Sequence, residues 1–136
     1  MNMIKDTIDV NPRTREGRIA VARMLMCLFD HWKLSPKDQL ALLGLRSRTS
    51  LARYRKGKPI ANKKDLLDRA GILLSIHVSL RMLFPNNRDL LYGWISIPNR
   101  GFDGQKPVEV IRGKGFLGLL LVEKYLDLEV EEDSWP

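Results

Sequence analysis

The chain of 136 residues is expected to be all-α, with a helix-turn-helix subdomain packed through a long central helix on a C-terminal helical domain. Three observations carry that expectation. Apolar residues recur at helical spacing, first through Val21, Leu25, Leu28 and Trp32, then through Leu66, Ala70, Leu73, Leu80 and Phe84. Helix-starting and helix-ending residues bracket short runs, as Ser35-Pro36 and Gly44 do. Two stretches, 63–84 and 116–128, are apolar on more than one face, so each must be buried on most sides or share its surface with another chain.

Residues 1–13 lack a period, contain Asn11 and Pro12, and read as a mobile arm. From about Thr14 a helix carries the first stripe, with Ala22, Met26 and Phe29 beside it and Met24 and Cys27 assigned to the core. His31 falls at its end, in a C-terminal capping position. Ser35 caps the next helix, Pro36 suits a first position that has no amide to satisfy, and Asp38 suits the positive end of the dipole. Gly44 ends that helix in a left-handed conformation, and Leu45 folds back on it. Ser47 caps a further helix through about Lys56, which Gly57 and Pro59 terminate.

Two short helices joined across Gly44 have the form of a helix-turn-helix, in which the second helix enters the major groove of DNA. Leu51 and Tyr54 should face inward with Leu45, which turns Arg48, Thr49, Ala52, Arg53 and Lys56 outward. From Arg46 to Lys64 the run holds Arg46, Arg48, Arg53, Arg55, Lys56, Lys58, Lys63 and Lys64, with no Asp or Glu. Arg48, Thr49, Ser50 and Arg53 stand where a groove-inserted helix reads base edges. Arg55, Lys56, Lys58, Lys63 and Lys64 suit phosphates, which add affinity and salt dependence without sequence information. The competing reading is a solvated basic face on a helical hairpin.

The composition agrees with an anionic partner without identifying one. The formal net charge is +7 and the sequence pI about 9.8, while six acids crowd the last fourteen residues against Lys124 alone. One cysteine excludes an internal disulfide framework and fits a reducing cytoplasm. Asp6 and Asp9 stand where a signal peptide would be apolar, and no apolar run reaches membrane-spanning length, so a cytoplasmic protein is expected.

The central helix runs from about Lys63 to Phe84, with His77 on its stripe as a hydrogen-bonded core histidine, and Pro85, Asn86 and Asn87 end it. A short helix from Arg88 to Ile95 brings Trp94 inward. Residues 96–107 form a loop dense in Pro, Asn and Gly, Pro107 opens a short helix closed by Gly113 or Gly115, and a last helix spans Phe116 to about Leu128.

The ordered residues Trp94, Pro98, Asn99, Phe102, Gly104, Pro107, Ile111, Gly113, Gly118, Val122, Tyr125 and Leu126 are similar to the C-terminal toxin-binding domain of the MbcA/ParS/Xre antitoxin family. The resemblance covers roughly Leu25 to Leu128 and is strongest from Trp94 onward. It implies a DNA-binding domain at 14–62, a toxin-binding and dimerisation domain at 63–128, and an acidic tail at 129–136. It further implies a type II antitoxin that forms a homodimer, covers the active site of a cognate RES-type toxin (NAD-consuming or ADP-ribosylating), and represses its own promoter by binding operator DNA.

Toxin-facing residues implied by the resemblance are Asn99, Arg100, Phe102, Tyr125 and Leu126. For Asn99 and Phe102 an architectural role in the loop is equally open. The chain departs from the family in continuing past Leu126 as an acid-rich segment. That segment is either solvated, or it places Glu129, Glu131, Glu132 and Trp135 in a basic cleft of the toxin. An enzyme is not expected, since no phosphate loop, Ser/His/Asp set or metal-ligand spacing is present, and no cofactor is implied. The alternative function is a free-standing homodimeric DNA-binding regulator without a toxin partner.

Overall fold

A computed structural model describes residue 11 and residues 13–134, and among these it contains seven α-helices and no strand. The N-terminal arm, except Asn11 and Arg13, lies outside the described residues, as does Trp135. Asn11 and Arg13 form a turn at the head of the first helix, α1 (Arg15–His31), where the Thr14 hydroxyl accepts from the Gly17 amide at 3.0 Å. The predicted stripe is buried, Leu25 and Phe29 completely. Cys27, expected in the core, is exposed because it lies well off the axis of the stripe; Met24 is half-buried against the core.

The next two helices end and begin as their capping residues dictate. In α2 (Pro36–Leu43) the Ser35 hydroxyl accepts from the Asp38 amide at 3.2 Å. Gly44 has φ 67°, and the amides of Leu45 and Gly44 donate to the carbonyls of Leu40 and Ala41 at 2.9 and 3.2 Å, which satisfies the last carbonyls of the helix. The Ser47 hydroxyl caps α3 (Arg48–Arg55) on the Thr49 amide at 3.2 Å, and Leu51 and Tyr54 are its buried side chains. The segment after α3 is pinned to α1 by two bonds: Arg18 Nη1 donates to the Ile60 carbonyl, and the Ile60 amide to the Arg18 carbonyl, each at 3.1 Å.

The long helix α4 (Lys64–Leu83) is the spine. After it come α5 (Arg88–Gly93), two 3-10 turns (Trp94–Ser96 and Arg100–Phe102), α6 (Pro107–Lys114) and α7 (Phe116–Asp133). The helix expected over Arg88 to Ile95 therefore tightens into a 3-10 turn at Trp94. The last helix continues to Asp133 instead of ending near Leu128, so the acidic segment is helical through its described part. Nothing between Leu128 and Asp133 breaks a helix, and the glutamates there are good helix formers.

The most extensive helix contact is between α4 and α7. Arg69 lies over the Phe116 ring and Ser75 faces Glu123, so contacts step along both helices in the same direction and the two run parallel. α6 meets α7 at Gly118, where a Cβ would overlap the backbone of Val110 and Ile111. α2 joins the C-terminal half through Asp38 Oδ1 and Arg112 Nη1, 3.3 Å apart. One contiguous core results, running from Leu51 and Tyr54 of α3 through Leu73 and Ile76 to Leu119, Val122 and Leu126 of α7. Each such aliphatic side chain contributes about 1.5–3 kcal/mol by burial.

Candidate functional site

The first candidate surface is the outer face of α3. Arg48, Thr49, Arg53 and Lys56 are exposed there, Ser50 is half-buried, and Arg46, Lys58 and Lys63 extend the basic surface at both ends. Among the described residues, Arg46, Arg48, Arg53, Lys56, Lys58 and Lys63 form no ion pair. Two members of the run do. Arg55 turns back onto the fold, with Nη2 2.9 Å from Asp30 Oδ1 and 3.1 Å from Gln39 Oε1. Gln39 is itself buried and donates to the Leu34 carbonyl at 2.9 Å, so Arg55 holds α3 against α1 and α2. Lys64 Nζ lies 2.7 Å from Asp68 within α4. The run is free of acids in sequence, but folding brings Asp30 to it from 25 positions away.

Beneath this surface Arg69 forms a clasp. Its guanidinium lies under Gly44, where a Cβ would approach within 2.9 Å, while the same group sits 5.6 Å from the Phe116 centroid and bonds Asp65 at 3.1 Å. The turn between α2 and α3 thus rests on a cation that also covers the first residue of α7. No sequence pattern singles out Arg69, since the contact depends on how three elements meet.

The second candidate surface is at the other end, where the loop lies against α7. Asn99 shapes the loop: its Oδ1 accepts from the Gly101 amide at 2.8 Å, its amide donates to the Gln105 carbonyl at 3.0 Å, and its carbonyl accepts from Gly104 at 2.9 Å. The Phe102 ring stands 5.0 Å from Tyr125, which is 6.1 Å from Trp94. Gly101 leaves room for the Tyr125 ring, which any Cβ there would overlap. The residues carrying the resemblance are therefore brought together, with Arg100 exposed at their edge. Leu126 is only 1% exposed and belongs to the core, holding α7 in place from inside. Glu131 and Glu132 are exposed and Glu129 half-buried in the last turns of α7.

The structure also sorts the excess leucines of α7. Leu119, Val122 and Leu126 face inward, whereas Leu117 and Leu128 are 56% and 51% exposed and Leu120 and Leu121 41% each. On the same helix, Glu123 is held above the usual carboxylate range, chiefly by burial and further by Asp127, against the lowering effect of the Ser75 hydroxyl.

Both histidines lie against one tyrosine. The Tyr92 ring stacks with His31 at 4.4 Å and His77 at 6.0 Å, and Arg88 lies 4.9 Å from its centroid. The hydrogen bond expected for His77 is absent; its Nδ1 is buried without a partner, because the ring packs on an aromatic face. Burial, then Arg81, then His31 hold its pKa below the ordinary value. Among the described residues no group of three His, Cys, Asp or Glu side chains could hold a metal ion, and no helix is long and apolar enough to cross a membrane.

A helical scaffold with unpaired cations on one face and an apolar, acid-ended helix on another is, in class, a binding protein. Residues 79–128 match the family model of the antitoxin Xre/MbcA/ParS C-terminal toxin-binding domain. The chain is also 31% identical over 100 residues to the uncharacterized protein y4oB of Sinorhizobium fredii (strain NBRC 101917 / NGR234), a match spanning 74% of this chain and 76% of that protein. The chain belongs to the same family as that protein, and the domain model that its residues 79–128 match is that of an antitoxin domain, not of an enzyme family.

Proposed function

We propose that this chain is the antitoxin of a type II pair: as a cytoplasmic homodimer it covers the active site of a cognate RES-type toxin and represses its own promoter. The observation that carries the reading is that a toxin-binding domain at residues 79–128 shares one core with a helix whose outer cations are unpaired. In this reading α2 and α3 act as a helix-turn-helix. Arg48, Thr49, Ser50 and Arg53 face bases, and Arg46, Lys56, Lys58 and Lys63 face phosphates. Arg55 and Lys64 contribute less, since each already has a carboxylate partner. Arg100, Phe102, Tyr125, Glu129, Glu131 and Glu132 form the toxin-facing surface, with Asn99 shaping the loop and Leu126 supporting the helix.

Coexpression with the product of the adjacent reading frame tests the proposal. The expected outcome is rescue of growth from that product, its co-purification with this chain, and retardation of the shared promoter fragment. Promoter binding with no rescue and no co-purification would instead identify a free-standing regulator.

A further inference from the structure

Between Lys33 and Lys64 the chain has no acid except Asp38, which stands in the first turn of α2. Arg112 of α6 lies on that carboxylate, Nη1 3.3 Å from Oδ1. We infer that the end of α6, inside the toxin-binding domain, completes the DNA surface: Lys114 holds a backbone phosphate beside the turn, and Arg112 masks Asp38. The inference rests on the reading of α2 and α3 as a DNA-binding unit and extends its footprint onto the C-terminal domain.

Two contacts place the end of α6 beside that unit. Arg112 reaches the start of α2 through Asp38. Two residues beyond Lys114, the Phe116 ring lies 5.6 Å from the Arg69 guanidinium that underlies Gly44, the residue that ends α2. The stretch from Arg112 to Phe116 therefore runs along α2 from its first turn to its last.

Charge names the partner. Lys114 is exposed and, among the described residues, forms no ion pair, as is also true of Lys37 at the start of α2 and Arg46 just past its end. Three free cations thus border α2, and the one carboxylate that would repel a polyanion there is covered by a fourth. A cation at the end of α6 also suits the helix dipole, a local gain that leaves the Lys114 ammonium open to an anionic contact. Lys114 is a mobile point charge outside the groove-facing helix, so it suits phosphates, which add affinity and salt dependence but no base preference.

Salt titration of promoter-fragment binding by the full chain tests this. Lys114→Ala is expected to reduce the slope of log affinity against log salt by about one and to weaken promoter and unrelated DNA alike, by about three- to tenfold. Capture of the adjacent gene product should not change. Lys106→Ala, at the opposite end of α6, is expected to leave the slope as it is. Arg112→Gln is expected to weaken all DNA alike, and Asp38→Asn in the same chain to restore it. An unchanged slope for Lys114→Ala, where Lys58→Ala loses one, overturns the inference and leaves the DNA-binding reading standing. Equal losses for Lys106→Ala and Lys114→Ala reduce the effect to net charge and overturn it as well. Weakening by Arg112→Gln that Asp38→Asn does not restore removes the masking role. A wild-type chain that does not retard the promoter fragment overturns the DNA-binding reading and this inference together.

Discussion

The outer face of α3 and the outer face of α7 are both left open by the fold, but the chemistry that leaves them open is opposite. Water hydrates the guanidinium and ammonium groups of α3 well, so that face is stable alone and gains from a partner only through a polyanion. The gain is screened over about 8 Å at physiological salt. The leucines of α7 cost free energy for as long as they meet water, at about 25 cal/mol per Å². The difference separates a contact that can be made and broken by ionic conditions from one that should stay covered.

The largest expected effect comes from Gly118→Val, which forces a side chain into the backbone of Val110 and Ile111. The cost should be about 3 kcal/mol, lowering Tm by about 10 °C. Because one core joins both faces, a thermal melt should show one transition, with promoter binding lost alongside it. A variant that retains full promoter binding after its C-terminal half has melted would divide the molecule in two.

Smaller effects should distinguish cations within the basic run. Arg48→Ala or Arg53→Ala should weaken promoter binding by about 1–3 kcal/mol and relax base preference. Lys58→Ala should weaken all DNA sequences alike and reduce the salt slope by about one. Arg55→Ala should instead leave the salt slope in place and lower stability by no more than about 1 kcal/mol, since both members of its ion pair are partly solvated. Equal salt-slope changes for Lys58 and Arg55 would erase that distinction.

The smallest concerns pH. His77 is held below its ordinary value of 6.5, so the unfolded chain takes up a proton there that the folded chain refuses. The corresponding stability is present above 6.5 and is lost as pH falls through 6.5 toward the folded value. Tm should therefore fall between about pH 7.5 and 5.5, and His77→Gln should remove that slope. A slope that persists in the variant transfers the effect to another group.

Local chemistry was legible in the sequence and meetings between distant elements were not. Ser35, Gly44 and Ser47 set the ends of α2 and α3 because a cap acts within one turn. The inward position of Leu51 and Tyr54 followed from their spacing. Cys27 was misplaced because nearness in sequence to an apolar stripe is not alignment with it. The end of α7 was misplaced because acids at a helix terminus oppose the dipole yet favour the helix itself. At the candidate sites, the loop residues were identifiable as a set, but only coordinates show that Asn99 is occupied by its own turn and that Leu126 is inside. Asp30 reaching Arg55, and Arg69 bridging Gly44 and Phe116, required the tertiary fold.

The clasp at Arg69 also bears on the lifetime of the protein. The turn before α3 and the first residue of α7 share one cation above a single core, so the two halves are expected to be lost to proteolysis together. In the proposed function, each molecule destroyed frees a toxin and opens a promoter in the same event, so the half-life of one fold sets the timing of both.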